Sequence, residues 1–482
     1  MTKLLRIVLG ALALLALLVA GRRVGAAAPA GDPASVRFPD SPAGRRCAAL
    51  AAALRAGGEE ALRRFMAENY AASALAERSP EVRVRSLAGV LGDLGHGELA
   101  SVEPFGERSI ELVFKAERRP LWVHFRLDLE PEPPHGVTAI RIRAEDQPPA
   151  RVASGPPLSE AEALAAIDAA ASKRAAAGEF SGVVEVARDG RSLLRRALGV
   201  AHRGFGVPVQ ADTRFNLGSI DKLFTQILVQ QLGEQGKLDP REHLIRYLPD
   251  FPNRAVAEKV TIQQLLDHTS GLGDIFGERF RATPKARLRK LADYLPLFVD
   301  QPLLFEPGSE QRYSNAGYIV LGLVIERVTG KSYYEAVQER VFAPAGMLHS
   351  DFSALDDPAP NRAEGYTHQP VGEAPGEGAG GQLRSNVCLL PARGSSAGGG
   401  YSTAGDLLRL SRALREGRLL KASPWQRQGG LAVAGGSPGC NAILEDDWNS
   451  GYTVVVLSNL DPPSAEDLSR TVRGLLARVR RN

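Results

Sequence analysis

Apolar residues recur at helical spacing between residues 45 and 70, at Leu50, Leu54, Leu62, Phe65 and Met66, which predicts one or two helices there. The period then changes. Residues 109–115, 121–129 and 136–143 alternate apolar and polar positions, interrupted by Glu117-Arg118-Arg119-Pro120 and Pro131-Glu132-Pro133-Pro134. That alternation predicts an antiparallel meander. Helices first and strands after define a small α+β unit over residues 40–145. Behind it, the proline-rich stretch 146–158 reads as a linker.

A second, larger unit covers residues 159–482. It opens with Ser159-Glu160-Ala161-Glu162, a capping box ahead of an Ala-rich helix ending near residue 177. Two strands are predicted at 181–188 and 192–198, hinged on Asp189-Gly190. Another hairpin is predicted at 441–445 and 452–457, followed by a closing helix over 464–481. Strands at both ends with helices between them predict one antiparallel sheet assembled from the two termini of the unit. No strand-helix-strand alternation suggests a parallel sheet, so the class is α+β.

Bulk properties narrow the function classes. The 482 residues are 44% hydrophobic, as expected of globular domains, and their net charge of +4 is too small and scattered to serve as a nucleic-acid footprint. Cys47, Cys388 and Cys440 lie far apart, so neither a disulfide framework nor a structural metal is expected, and no cofactor is called for. At the amino terminus Lys3 and Arg6 precede an apolar run over 7–20 and the small residues Ala26-Ala27-Ala28. Residues 1–28 therefore read as an export signal, which places the protein in the periplasm or outside the cell. Arg22-Arg23 is unusual before a cleavage site and leaves an uncleaved inner-membrane anchor as the alternative, the one membrane contact expected.

The chemistry concentrates in Phe215-Asn216-Leu217-Gly218-Ser219-Ile220-Asp221-Lys222, which runs into a helix with apolar residues at Leu223, Phe224, Ile227, Leu228 and Leu232. Ser219 and Lys222 are three apart, so at a helix start they share a face. A serine hydroxyl is a poor nucleophile without a base, and a lysine supplies one where burial lowers its pKa. Alone, the pattern more often marks a helix-capping serine and a solvent-facing lysine. A second segment, Tyr313-Ser314-Asn315 on a loop entering an apolar helix, adds a phenol for proton transfer and an amide able to orient Lys222 and a substrate carbonyl.

Taken together, these segments resemble the β-lactamase-related serine hydrolases, a family holding class C β-lactamases, D-Ala-D-Ala carboxypeptidases and β-lactamase-like esterases. The resemblance extends to Leu265-Leu266-Asp267-His268-Thr269-Ser270-Gly271-Leu272, to Pro344-Ala345-Gly346-Met347, to residues 398–407 and to 451–459, in family order across most of 159–482. It implies the penicillin-binding-protein and β-lactamase fold and an acyl-enzyme mechanism on a small ester or amide, with peptidoglycan-derived amides among the candidates. By that resemblance Ser219 is the nucleophile, Lys222 its base and Tyr313 the proton shuttle. Asn315 lines the site, and Gly435 and Gly436 lie on the strand that completes the oxyanion hole with the Ser219 amide. The amino-terminal unit loosely resembles small helix-plus-curved-sheet domains of the nuclear-transport-factor type and carries no catalytic constellation.

The third family motif departs from its pattern. Where Lys or His followed by a small residue and Gly is usual, this chain has Val433-Ala434-Gly435. Loss of that cation disfavours substrates bearing a carboxylate, which points to an esterase ahead of a carboxypeptidase or β-lactamase. Together with a short 421–430 segment it leaves a second reading, a catalytically impaired protein that binds peptidoglycan fragments or a partner. Gly394-Ser395-Ser396-Ala397-Gly398 matches the nucleophile elbow of α/β-hydrolases, but no strand precedes it and no suitably placed histidine follows. His268 reads as a structural residue tying the Thr269-Ser270-Gly271 loop.

Overall fold

The structure is a computed structural model that describes residues 38–480 apart from 78, 96, 105–108, 118–120, 131, 146–155, 370–381 and 428. The expected export signal and most of the expected linker lie outside the described residues.

The amino-terminal part comprises helices α1 (Pro42–Ala56), α2 (Gly58–Asn69), α3 (Ala72–Glu77) and α4 (Pro80–Leu94), then strands β1 (Glu98–Pro104), β2 (Ser109–Lys115), β3 (Trp122–Leu129) and β4 (Val137–Glu145). The helical stretch near residues 45–70 is split at Gly57 and Gly58, both at positive φ, where a continuous helix cannot pass. The strands pair in chain order, each neighbour antiparallel. The meander has one strand more than its alternation predicted. β1 ends in Glu103-Pro104 and shows no clean alternation, yet it pairs along β2. Its core, with Leu50, Leu62, Phe65, Leu112, Phe125 and Leu127 among its members, is separate from those of the larger unit.

In the larger unit, Ser159 and Glu162 form the reciprocal capping box that starts α5 (Glu160–Ala176). β5 (Gly182–Arg188) and β6 (Arg191–Leu198) turn on Asp189-Gly190, both at positive φ, as the tight hairpin turn requires. Three further strands come from the carboxyl end: β7 (Gly430–Ser437), β8 (Cys440–Asp447) and β9 (Tyr452–Ser458). The sheet order is β7-β8-β9-β5-β6, antiparallel throughout. Thus the two ends of the unit meet at the β9/β5 seam, as the sequence pattern predicted.

Burial follows from this placement. Alternate residues of β5 and β9 enter two different cores: Val183, Val455 and Leu457 face the helical region, whereas Val184, Val186, Val454 and Val456 face α5 and the closing helix α9 (Ser464–Leu476). The helical side holds α6 (Lys222–Glu234), α7 (Asn315–Thr329) and α8 (Ala404–Arg415). Both α6 and α7 are apolar on most sides and deeply buried, so the side chains at their amino-terminal ends are held by a rigid interior. Truncating Leu457, fully buried in the seam strand, is expected to destabilise the protein by about 2–5 kcal/mol in denaturant unfolding of Leu457→Ala, through lost burial and a residual cavity.

Candidate active site

Ser219 sits in a tight 3-10 turn, Gly218–Asp221, that feeds directly into α6. With three residues per turn, positions i and i+3 eclipse, so the turn stacks Lys222 over Ser219 more closely than an α-helical start would. The turn is fixed from several sides. Phe215-Asn216 pairs with Tyr401-Ser402, the Leu217 amide donates to the Gly400 carbonyl, and the Gly218 amide donates to Asn216 Oδ1. Gly218 takes φ +51, which a glycine tolerates readily. Ser219 itself is half-buried and reachable from outside.

Lys222 is 6% exposed. Its Nζ lies 3.1 Å from Ser219 Oγ, 2.8 Å from Asn315 Oδ1 and 2.5 Å from the Ala397 carbonyl oxygen. Loss of water around the ammonium pushes its pKa down to about 7, against the opposing charges of Asp221 and Asp274. Asp221, fully buried beside it, is pushed up to about 8 by the same loss of water, partly offset by the Gly400 amide that donates to Oδ2 at 2.5 Å. Its other oxygen has no hydrogen-bond partner among the described residues.

Tyr313 arrives from the loop before α7. The residue is 51% exposed, while its hydroxyl turns inward and donates to Ser219 Oγ at 2.7 Å. Burial of that end raises the phenol above its ordinary pKa, so it is a neutral proton donor at physiological pH. The ring stacks on His268, with centroids 4.5 Å apart. His268 Nδ1 accepts the Ser314 amide at 3.1 Å, and burial holds the imidazole neutral, down to about 4. His268 thus does more than tie its own loop: it supports the Tyr313-Ser314-Asn315 segment from beneath. Ser314 caps α7 by accepting the Gly317 amide, which fixes Asn315 at the first helical position.

Gly435 and Gly436 of β7 lie against the Ser219 turn. A Cβ on Gly435 would fall 1.9 Å from the Leu217 carbonyl oxygen and 2.9 Å from the Ser219 amide nitrogen, and one on Gly218 would fall 2.9 Å from the Gly436 amide nitrogen. Such backbone contact requires glycine at these positions. β7 and β8 join through the two-residue turn Pro438-Gly439, with Ser437 opposite Cys440. Bonded and non-bonded pairs alternate from that closing pair, so the Gly436 N–H points away from β8. The Ser219 N–H, in the first turn of its helical segment, likewise has no intrahelical acceptor. Val433, two residues before Gly435, shares its side of the strand and packs against the core, leaving that side of β7 without a cation.

All six residues singled out in the sequence therefore converge on one place. Asp274 was not foreseen: it accepts the Asn315 side-chain amide through both oxygens, at 3.1 and 2.9 Å. No spacing ties an aspartate in the 271–276 loop to an asparagine 41 positions later. Ser396 of the elbow-like segment is fully buried and donates to the Tyr318 carbonyl, so it is unavailable as a nucleophile.

A model of the Beta-lactamase family matches residues 167–449. The chain belongs to that family. Esterase EstB of Burkholderia gladioli is 33% identical over a match covering 59% of this chain and 76% of the esterase. Penicillin-binding protein 4* of Bacillus subtilis (strain 168) is 34% identical over 35% of this chain, a match spanning 37% of that protein's own length. Among solved structures, a penicillin-binding protein from Bacillus halodurans superposes with a TM-score of 0.56 at 32% identity, covering 65% of this chain and 99% of the other. The penicillin-binding-protein and β-lactamase fold expected from the sequence is thus the one observed, and this Beta-lactamase family member is grouped with serine hydrolases. The amino-terminal helices and meander, residues 42–145, lie outside the family match.

The packing of Gly435 on the Ser219 turn makes a stability prediction independent of activity. Gly435→Ala is expected to destabilise the fold by about 1–3 kcal/mol, because backbone must move to admit the methyl group. Thermal unfolding beside the exposed-site control Ala434→Gly checks this.

Proposed function

We propose that this protein is a serine hydrolase that forms an acyl-enzyme on Ser219, with esters as its main substrates and carboxypeptidase or β-lactamase activity secondary. One observation carries the reading. Two of the three groups around Lys222 Nζ, Asn315 Oδ1 and the Ala397 carbonyl, can only accept hydrogen bonds. A neutral amine spends both its N–H bonds on them, and its lone pair is left for the third neighbour, the Ser219 hydroxyl at 3.1 Å.

The steps follow from that polarity. Ser219 Oγ attacks the substrate carbonyl and its proton passes to Lys222 Nζ, while the negative charge forming on the carbonyl oxygen is met by the Ser219 and Gly436 amides. As the tetrahedral intermediate collapses, Tyr313 gives its proton to the departing alkoxide, and the Lys222 ammonium restores the phenol's proton. Water then attacks the acyl-serine by the same route in reverse, releasing the acid and returning the hydrogen to Ser219.

Substrate class is argued from what surrounds this apparatus. With Val433 on the site-facing side of β7, nothing there would hold a substrate carboxylate, as penicillins and D-Ala-D-Ala peptides require. The 271–276 loop, whose Asp274 holds Asn315, carries the exposed Phe276 and is joined to the loop of the exposed Leu304 by the Leu304 amide donating to the Gly271 carbonyl. A neutral ester of a small apolar acid suits such apolar surroundings. Val433 also motivates the second reading, a binding protein without turnover.

Intact-mass spectrometry with a short-chain p-nitrophenyl ester, a cephalosporin and a D-Ala-D-Ala peptide separates the readings. An acyl adduct is expected with the ester, absent in Ser219→Ala. An adduct that persists in Ser219→Ala, or none with any probe, overturns the proposal. For the base, only unprotonated Lys222 can accept the serine proton, so kcat/KM should rise with pH to a plateau with its midpoint near 7, falling about a hundredfold by pH 5. A flat pH profile from 5 to 8 in ester hydrolysis would exclude Lys222 as base.

A further inference from the structure

Asn315 can serve the mechanism in one orientation only. Its side-chain amide has an acceptor end and a donor end of nearly equal shape, and a half-turn about the last bond exchanges them. With Oδ1 toward Lys222, the amine is held by an acceptor at 2.8 Å. In the opposite orientation an NH2 group would face the amine, competing for the lone pair that the serine proton must reach.

The structure contains a device that selects between the two. Asp274 approaches the far end of Asn315 with both carboxylate oxygens, 3.1 and 2.9 Å from Nδ2, and Oδ2 is also 3.4 Å from the Asn315 backbone amide. A carboxylate accepts but cannot donate, so it tolerates only the NH2 end. Asp274 is itself held: Oδ1 accepts the Phe276 amide at 3.0 Å, and the preceding Gly273 carbonyl accepts the Ser314 hydroxyl at 2.6 Å, tying the 271–276 loop to the cap of α7. A negative group at the first turn of α7 is also favoured by the exposed amides there.

We propose that Asp274 is a positioning residue: it locks the Asn315 amide in the flip state that turns Oδ1 toward Lys222, and so aims the amine at Ser219. The proposal rests on the serine-hydrolase reading for its consequence in turnover, but its physical content is a three-part relay from carboxylate to amide to amine that can be measured without substrate. The charged and titratable groups facing Lys222 are Asp221 from its own turn, Asp274 from the loop, His268, and the phenols of Tyr313 and Tyr318. Asp221 and Asp274 are the two that favour the ammonium, and Asp274 is the one that can be altered without touching the nucleophile turn.

The test has three readouts. The titration of Lys222 is followed by NMR of ¹³C-lysine-labelled full-length protein, the resonance assigned with Lys222→Arg. Asp274→Asn keeps the shape and one acceptor oxygen but removes the charge, and should lower the Lys222 midpoint by roughly half a unit to one unit. Asp274→Ala should do the same and, by freeing the amide, lower kcat for ester hydrolysis about tenfold or more with little change in KM. Asp274→Glu should restore part of both. A Lys222 midpoint unmoved in Asp274→Asn and Asp274→Ala overturns the proposal. So does a turnover loss in Asp274→Ala that sits wholly in KM. Should the wild-type protein never acylate while the Asn315 side-chain NH2 signals, ordered in wild type, shift or collapse in Asp274→Ala, the hydrolase reading fails and the positioning role stands.

Discussion

A single amine, kept out of water and flanked by two groups that only accept hydrogen bonds, is what the rest of this site is arranged around. Lys222 is buried on the first turn of a helix whose body is core, so it cannot swing out to solvent without dragging apolar surface with it. Two acceptor-only neighbours consume its hydrogens. Desolvation pushes its pKa down to about 7, and the two acceptors fix the direction of its N–H bonds. Each supporting feature, from the 3-10 turn to the stacked imidazole under Tyr313, maintains either the dryness or the direction.

Most of the architecture was legible because it is local. The capping box at Ser159, the Asp189-Gly190 turn and the strand runs on either side of it are patterns of neighbouring residues, and each became the element it predicted. Ser219 and Lys222 were readable together for the same reason: three positions apart at a helix entrance, they can hardly avoid each other. Bringing Tyr313 and Asn315 to them needed the family resemblance, since nothing in a span of over ninety residues dictates that contact.

What stayed hidden was tertiary or conformational. Asp274 is an ordinary loop aspartate until the fold places it against Asn315. His268 looked like a turn residue, and its φ of +60 fits that, but its ring work depends on two tyrosines from another helix entrance. Strand β1 escaped notice because its mixed polar sequence draws its order from pairing with β2, not from its own pattern.

The seam between β9 and β5 ties the first strand of the larger unit to its last. Gly182 pairs with Ser458 and Arg188 with Tyr452, so the middle of the sheet exists only once the tail of the chain has been made and threaded home. Until then Ser219 and Lys222 can be present in the polypeptide, but the glycine strand that presses on their turn has no sheet to belong to. A chain that stops short of residue 458 therefore lacks the central strand of the sheet, and with it the frame that holds the glycine strand against the Ser219 turn.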